Sequence, residues 1–317
     1  MAGSTDADTA TGAPTPRAPL GRPDTMPADV PARWPQLRPV GDRIRLSAYL
    51  RGIWGRREFI LEVPKGELRA QNQNTIVGNL WHLLNPLLLV LVYWVVFDVL
   101  LSRGGEDGAG RALLFGGNNY LGFLVAGIIP YTFSSRAMTA GARVIVKNRQ
   151  MVQNITFPRA VLPLSTMVTE LYSQLPALVV MVTLLVATGE SLSWTWLLLA
   201  PLLVVQSLFN LGLSFITGRI TFHFQDTLQI LPYVLRLMFY LSGIIFSIDQ
   251  VAQSRPMLGT LLVVLNPFAA FVELTRAVTI GNQVDPAAWV VVSVWSAAVL
   301  VGGFWFFRAA ESEFGRV

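Results

Sequence analysis

The sequence predicts an all-α polytopic membrane protein with six transmembrane helices, and three observations carry that prediction. Apolar stretches of spanning length recur at Leu83 to Leu101, Leu121 to Ala140, Val161 to Ala187, Trp196 to Thr217, Leu228 to Ile248 and Ala287 to Phe307. About 20 helical residues cross roughly 30 Å of hydrocarbon, and a backbone in lipid must satisfy its own hydrogen bonds, which helices do. Composition agrees: 53% of residues are hydrophobic and 14% charged, where soluble chains carry about 25% charged residues, and the mean hydropathy is +0.51. Finally, lysine and arginine crowd into alternate connections only.

Taken in order, residues 1–42 read as a disordered cytoplasmic tail, with eight prolines among the first forty residues and no continuous apolar core of a signal peptide. An amphipathic helix over residues 43–64 follows, because Leu46, Leu50, Ile53, Trp54, Ile60 and Leu61 fall on one helical stripe. Such a helix lies in the headgroup layer, where its arginines meet anionic lipid or a partner. Arg57 falls on the apolar stripe itself, which leaves two readings: a side chain snorkelling to the interface, or a contact to a phosphate group.

Short loops rich in lysine and arginine stay in the cytoplasm. Arg43, Arg45, Arg51, Arg56, Arg57, Lys65 and Arg69 precede the first span, and Arg143, Lys147, Arg149 and Arg159 separate spans two and three. The other connections carry Arg103 and Arg111, then none around Glu190, then Arg255 and Arg276. Both termini are therefore expected in the cytoplasm. The loop from Arg143 to Arg159 has the pattern of a short helix before Pro158, and such a helix can serve as a handle for a soluble partner. Met257 to Ile280 is apolar but interrupted by Asn266, Pro267, Glu273 and Arg276, which predicts two short re-entrant helices in the outer half of the bilayer rather than a seventh span.

The motifs that are absent narrow the function. No Gly-x-x-x-x-Gly-Lys-Ser/Thr phosphate loop occurs, the two histidines His82 and His223 lie far apart, and the chain has no cysteine. Metal binding is not suggested. Nucleic-acid binding is also excluded, because the arginines sit at the ends of apolar spans rather than on a face with stacking aromatics. Three charges do lie inside spans: Arg136, Glu170 and Arg236. Such residues are expensive in hydrocarbon and mark functional positions or internal pairs, so Glu170 either pairs with one of the arginines or leaves Arg236 facing a substrate path. Tyr233, Arg236 and Tyr240 share one face of span five, and Tyr93 and Phe97 share a face of span one. Aromatic faces of this kind either pack or stack on sugar rings.

From Glu67 the chain reads Glu-Leu-Arg-Ala-Gln-Asn-Gln-Asn-Thr-Ile-Val-Gly-Asn-Leu-Trp-His-Leu-Leu-Asn-Pro-Leu, which resembles the entry to the first span in permeases of polysaccharide-exporting ABC transporters, through Gly78, Trp81 and Pro86. The resemblance continues at Phe123 to Phe133, at Asn148, at Phe157-Pro158-Arg159, at Leu162-Pro163, at Tyr240-Leu241-Ser242, and at Asn266-Pro267 with Glu273 and Arg276. It runs from residue 43 to the end. The pattern differs at Ala160, where those permeases often carry Glu, at Gln225, where they often carry Arg, and at Gly243, where Ser-Pro is common.

The resemblance implies a homodimeric permease of the O-antigen, teichoic-acid or galactan type in the bacterial inner membrane. It would move a lipid-linked polysaccharide with two separate ATPase subunits, which would hold the ATP and magnesium; no cofactor is expected on this chain. By the same resemblance, Arg51, Arg56 and Arg57 would gate the lipid diphosphate, and Arg143, Lys147, Arg149 and Arg159 would couple to the ATPase. Tyr93, Phe97, Tyr233, Arg236 and Tyr240 would line the channel. The rival readings are a drug or small-lipid exporter of the same class and a membrane-embedded polyprenyl-diphosphate transferase, the second weakened by the lack of paired acids that bind a magnesium diphosphate.

Overall fold

A computed structural model describes residues 45–71, 81–96, 119–155, 157–248, 252–253, 255–311 and 313–314. The expected tail, Phe97 and the connection with Arg103 and Arg111 lie outside the described residues. Among the described residues every regular element is helical: α1 (Leu46–Trp54), α2 (Arg57–Gln71), α3 (Trp81–Trp94), α4 (Tyr120–Lys147), α5 (Arg149–Asn154), α6 (Val161–Ala187), a 3-10 turn (Trp194–Leu198), α7 (Leu199–His223), α8 (Thr227–Leu241), α9 (Pro256–Leu265), α10 (Pro267–Thr279) and α11 (Pro286–Ala309).

Among the described residues three segments are long and apolar enough to cross a membrane: Val161–Ala187, Trp194–His223 and Pro286–Ala309. Helix α4 is as long but more polar, with Arg136, Arg143 and Lys147 along it. Its position explains this, because α4 packs against α3, α6, α7, α8 and α10 and buries residues on all sides, from Tyr120 to Ile145. A helix wrapped by protein does not need an apolar surface all round. Its N-terminus is capped by the Asn119 side chain, which accepts from the Gly122 N–H and donates to Thr188 and Glu190. At its internal proline, Gln206 of α7 donates to the Pro130 carbonyl at 2.8 Å and Gln174 of α6 donates to the Ile129 carbonyl at 3.4 Å.

Helices α7 and α11 approach backbone to backbone. A Cβ at Gly212 would stand 2.5 Å from the Val299 carbonyl carbon, and one at Gly303 would stand 2.4 Å from the Gly212 carbonyl oxygen. Hydrophobic burial contributes little between helices in lipid, so close contact through small residues is what holds such a pair.

Several expected boundaries differ in the structure. The single amphipathic helix over 43–64 is two helices with a break at Gly55 and Arg56, and the second continues to Gln71. The stripe that joined Leu46 to Leu61 is thereby cut. Span five ends as a helix at Leu241 and gives way to a turn through Gly243, whose φ of +65° is a conformation glycine adopts without strain. The two short helices expected between spans five and six are present as α9 and α10, joined at Asn266, whose side chain caps α10 through Phe268 N and Ala269 N.

Arg276, counted above as a charge of an outer connection, instead lies inside α10 and is 6% exposed. Its guanidinium donates to the carbonyls of Gly243 (2.8 Å), Ile244 (2.9 Å) and Phe123 (3.3 Å), pairs with Glu273 (2.8 Å) and lies 3.4 Å from the centre of the Phe123 ring. Arg276→Gln should therefore leave buried carbonyls unpaired and cost about 3 kcal/mol, lowering the melting temperature of the detergent-purified protein by about 10 °C. A wild-type melting curve would show that the turn after α8 holds without this clamp.

Candidate functional site

The face of α8 that carries the predicted path residues is open. Leu231, Leu235 and Phe239 turn inward, while Tyr233 is 72% exposed, Tyr240 is 53% exposed and Arg236 lies between them, also exposed. Helix α8 is fastened to α4 by the Tyr131 hydroxyl, which donates to the Leu235 carbonyl, and by packing of Leu231 and Leu235 near Ala142. Tyr93 comes to the same place from α3: its ring stacks on Phe239 at 5.2 Å, within electrostatic reach of Arg236 and Tyr240. Sequence spacing placed these residues on two separate helices; packing brings the two faces together. Phe97 lies outside the described residues.

Arg236 has no carboxylate in ion-pair distance among the described residues. The other two intramembrane charges find each other. Arg136 Nε is 3.3 Å from Glu170 Oε2, and Arg136 Nη2 donates to Gln174 Oε1 at 2.8 Å. A cavity of about 20 Å³ nearby, lined by Pro130, Gln174, Gln206 and Thr275, has room for a water and none for a sugar.

At the arginine-rich end, Arg51, Arg56 and Arg57 are exposed, with Arg56 lying over the Phe157 ring at 5.4 Å. Leu46, Leu50 and Trp54 of α1 face outward, the last 71% exposed, whereas Tyr49 turns into the bundle. The four residues expected to couple to a partner come from three segments. Arg143 and Lys147 sit on the last turns of α4, only Arg149 belongs to the short helix, and Arg159 stands at the start of α6. Arg143 and Arg149 are exposed. Lys147 pairs with Glu67 of α2, whose other oxygen accepts from Thr169 of α6 at 3.2 Å. Arg159 is turned inward: its N–H donates to Glu311 Oε1 at 2.8 Å and its guanidinium to the Glu311 carbonyl.

Sequence reasoning missed Glu67, Glu311, Tyr49 and the role of Arg276. Glu67 and Tyr49 stood within segments already singled out, but nothing local tells which distant residue they meet. Burial raises the Glu311 carboxyl above the usual range against the lowering effect of the Arg159 N–H, Tyr49 and the nearby arginines. Burial, reinforced by Glu311, likewise raises the Tyr49 hydroxyl, so it stays a neutral hydrogen-bonding group.

Residues 61–280, from α2 to just past α10, match the family described as ABC-2 type transporter. The chain belongs to the ABC-2 type transporter family. It is accordingly a multi-pass α-helical membrane protein of a transport family. Over 84% of its length it is 25% identical to the O-antigen export system permease protein RfbA of Myxococcus xanthus, covering 97% of that protein. Two proteins of the same name from Klebsiella pneumoniae are 26% identical over 68% of the chain and 22% identical over 82%, covering 77% and 95% of their own lengths.

The Arg136–Glu170 pair gives this ABC-2 protein a direct test of whether its intramembrane charges do more than hold helices. Glu170→Gln should destabilise the purified protein by about 1–3 kcal/mol, because it leaves a partly buried guanidinium without its counter-charge, while Arg136→Met with Glu170→Met should regain most of the loss. If thermal scans show the double variant as unstable as the single one, the pair has no such compensating role.

Proposed function

We propose that this chain is the permease subunit of an ATP-driven exporter that moves a lipid-linked polysaccharide, of the O-antigen, teichoic-acid or galactan-precursor type, across the bacterial inner membrane. The observation that carries this reading is the match to named O-antigen export permeases over nearly their whole length, joined to an open face of α8 with the chemistry such a cargo needs. Tyr233 and Tyr240 offer flat apolar rings, which hold sugars without fixing them in place, and Arg236 between them requires water or an anion rather than lipid.

Six spans with both termini in the cytoplasm suit the distribution of lysine and arginine. In that orientation α3, α4, α6, the segment from Trp194 through α7, α8 with its following turn, and α11 are the spans, and α9 and α10 dip into the outer half. A second copy would cover the exposed apolar residues of α3 and α8, such as Leu91, Val92, Ile230 and Leu237. The cargo would pass between the two copies, along the open face of α8. Two ATPase subunits would bind ATP and magnesium and meet Arg143, Arg149 and the exposed part of Lys147. Closing of the ATPase pair then drives export if it favours one packing of the spans over another.

Purification of the tagged chain in mild detergent should bring down a phosphate-loop ATPase in equal stoichiometry. Purification alone, under conditions that preserve other membrane complexes, would sink the proposal. Replacing Tyr233 and Tyr240 by Ala should slow export about tenfold with assembly intact, from two lost aromatic contacts of ~0.5–1.5 kcal/mol each; unchanged export would return both rings to a packing role. Lys147→Glu with Arg149→Glu should cut ATPase association about tenfold or more, and full association would move the docking surface elsewhere.

A further inference from the structure

The chain's last described turn does more than end α11. After Ala309 it folds back so that Ala310 is fully buried and Phe314 is 2% exposed, with the Phe314 ring 4.7 Å from Phe222 and 5.0 Å from Phe307. His223 at the end of α7 meets Glu313 at 2.8 Å. These contacts fix the turn against α7 and hold Glu311 over the start of α6.

Helix α6 has an uncapped start. Ala160 stands at its N-cap position with no side-chain cap, and the N–H groups of Val161 and Leu162 turn back to the Pro158 and Arg159 carbonyls. That leaves the N–H groups of Arg159 and Ala160, just before the helix, in need of acceptors, and a negative charge there is favoured by the helix dipole. Two distant segments supply them. Glu311 Oε1 accepts from Arg159 N at 2.8 Å, and the Tyr49 hydroxyl of α1 accepts from Ala160 N at 3.3 Å while hydrogen-bonding the Glu311 carboxylate. The Arg308 guanidinium lies 5.2 Å from the centre of the Tyr49 ring, and the Phe304 ring packs edge-on against it at 6.1 Å. Beside this node α1 lies directly on the loop: a Cβ at Gly52 would stand 3.0 Å from Pro158 Cγ.

We infer that Glu311 is a positioning residue for transport. It joins α1, the loop exit at Pro158–Ala160 and the C-terminal turn into one body, so that a displacement of the α5 segment reaches the interface helix undiminished. The inference rests on the proposed function in taking the α5 segment as the place where an ATPase pushes. It differs in what it claims: Arg159 acts within the chain, through Glu311, and the interface helix moves with the loop rather than against it. A carboxylate suits this task because it takes a backbone N–H and a hydroxyl at once, and a backbone N–H cannot swing away as a side chain can.

The chain has no cysteine, so an engineered disulfide forms without competition. In the reconstituted full complex, Gly52→Cys with Pro158→Cys should oxidise, since a Cβ at Gly52 stands 3.0 Å from Pro158 Cγ, which keeps the two Cβ atoms within about 4.5 Å, the outer limit for a disulfide. Export should be the same oxidised and reduced. Export that stops on oxidation and returns with reductant would overturn the inference, because α1 and the loop would then have to part. Glu311→Ala provides an independent arm: ATPase association and hydrolysis should persist while export per ATP falls about tenfold, the factor for one lost charge-assisted hydrogen bond, with Glu311→Gln intermediate because it keeps an acceptor oxygen. Wild-type export per ATP in Glu311→Ala would overturn it as well. A wild-type complex that shows no ATP-dependent export would instead refute the proposed function, and the single body would then be tested in the otherwise cysteine-free chain, without the disulfide pair, by the distance between spin labels at Ser47→Cys and Asn154→Cys with and without ATP. An unchanged distance supports the single body and a shifted one refutes it.

Discussion

A backbone cannot leave its carbonyls unpaired in hydrocarbon, and among the described residues helices break beside the apolar bundle after Leu241 and at Asn266. One buried guanidinium repairs the first. Arg276 reaches the carbonyls of Gly243 and Ile244 in the turn and that of Phe123 on the central helix, so the turn, α10 and α4 are held at a common point. Asn266 repairs the second, capping α10 with its oxygen while its amide donates to the Leu241 carbonyl and the Ser242 hydroxyl. The open face of α8 is thereby held at one end by α10 and along its length by the Tyr131 bond from α4.

The remaining polar groups of the bundle divide by whether they find partners. Arg136 and Glu170 neutralise one another beside Gln174, and the glutamines bind carbonyls at the Pro130 irregularity of α4. These groups order the helices around α4. Arg236 stands apart on an exposed face flanked by tyrosines, and this contrast in surroundings, rather than the presence of a charge, distinguishes a candidate path from scaffold. Net gain from a partly buried ion pair is small, because desolvation offsets much of the attraction, so the pair adds little to stability beyond joining α4 to α6.

At the arginine-rich end the same economy appears with longer reach. Glu67 joins α2 to the ends of α4 and α6, and Glu311 joins α1 to the start of α6. Each carboxylate links segments that local sequence treats as separate. Lys147 and Arg159 had the look of surface cations for a partner, and their carboxylates turned them wholly or partly into internal contacts.

Much of the architecture was legible in the chain alone. Apolar length and the placement of arginine pointed to a helical membrane protein; a helix stands at Val161 to Ala187 as expected, and the helices at the second, fourth and sixth apolar stretches extend a few residues past them because amphipathic turns continue a helix beyond the apolar stretch. The Asn266-Pro267 interruption announced α9 and α10, and the ordered motifs announced the transport family. Tertiary structure alone decided that Arg276 is buried, that Arg136 rather than Arg236 takes Glu170, that Tyr93 meets the α8 face, and that span five stops as a helix at Leu241. The physical reason is the same in each case: hydropathy and periodicity record a segment's own preference for lipid or water, whereas the partner of a charge or of an open carbonyl lies far off in sequence and is chosen only when the helices pack.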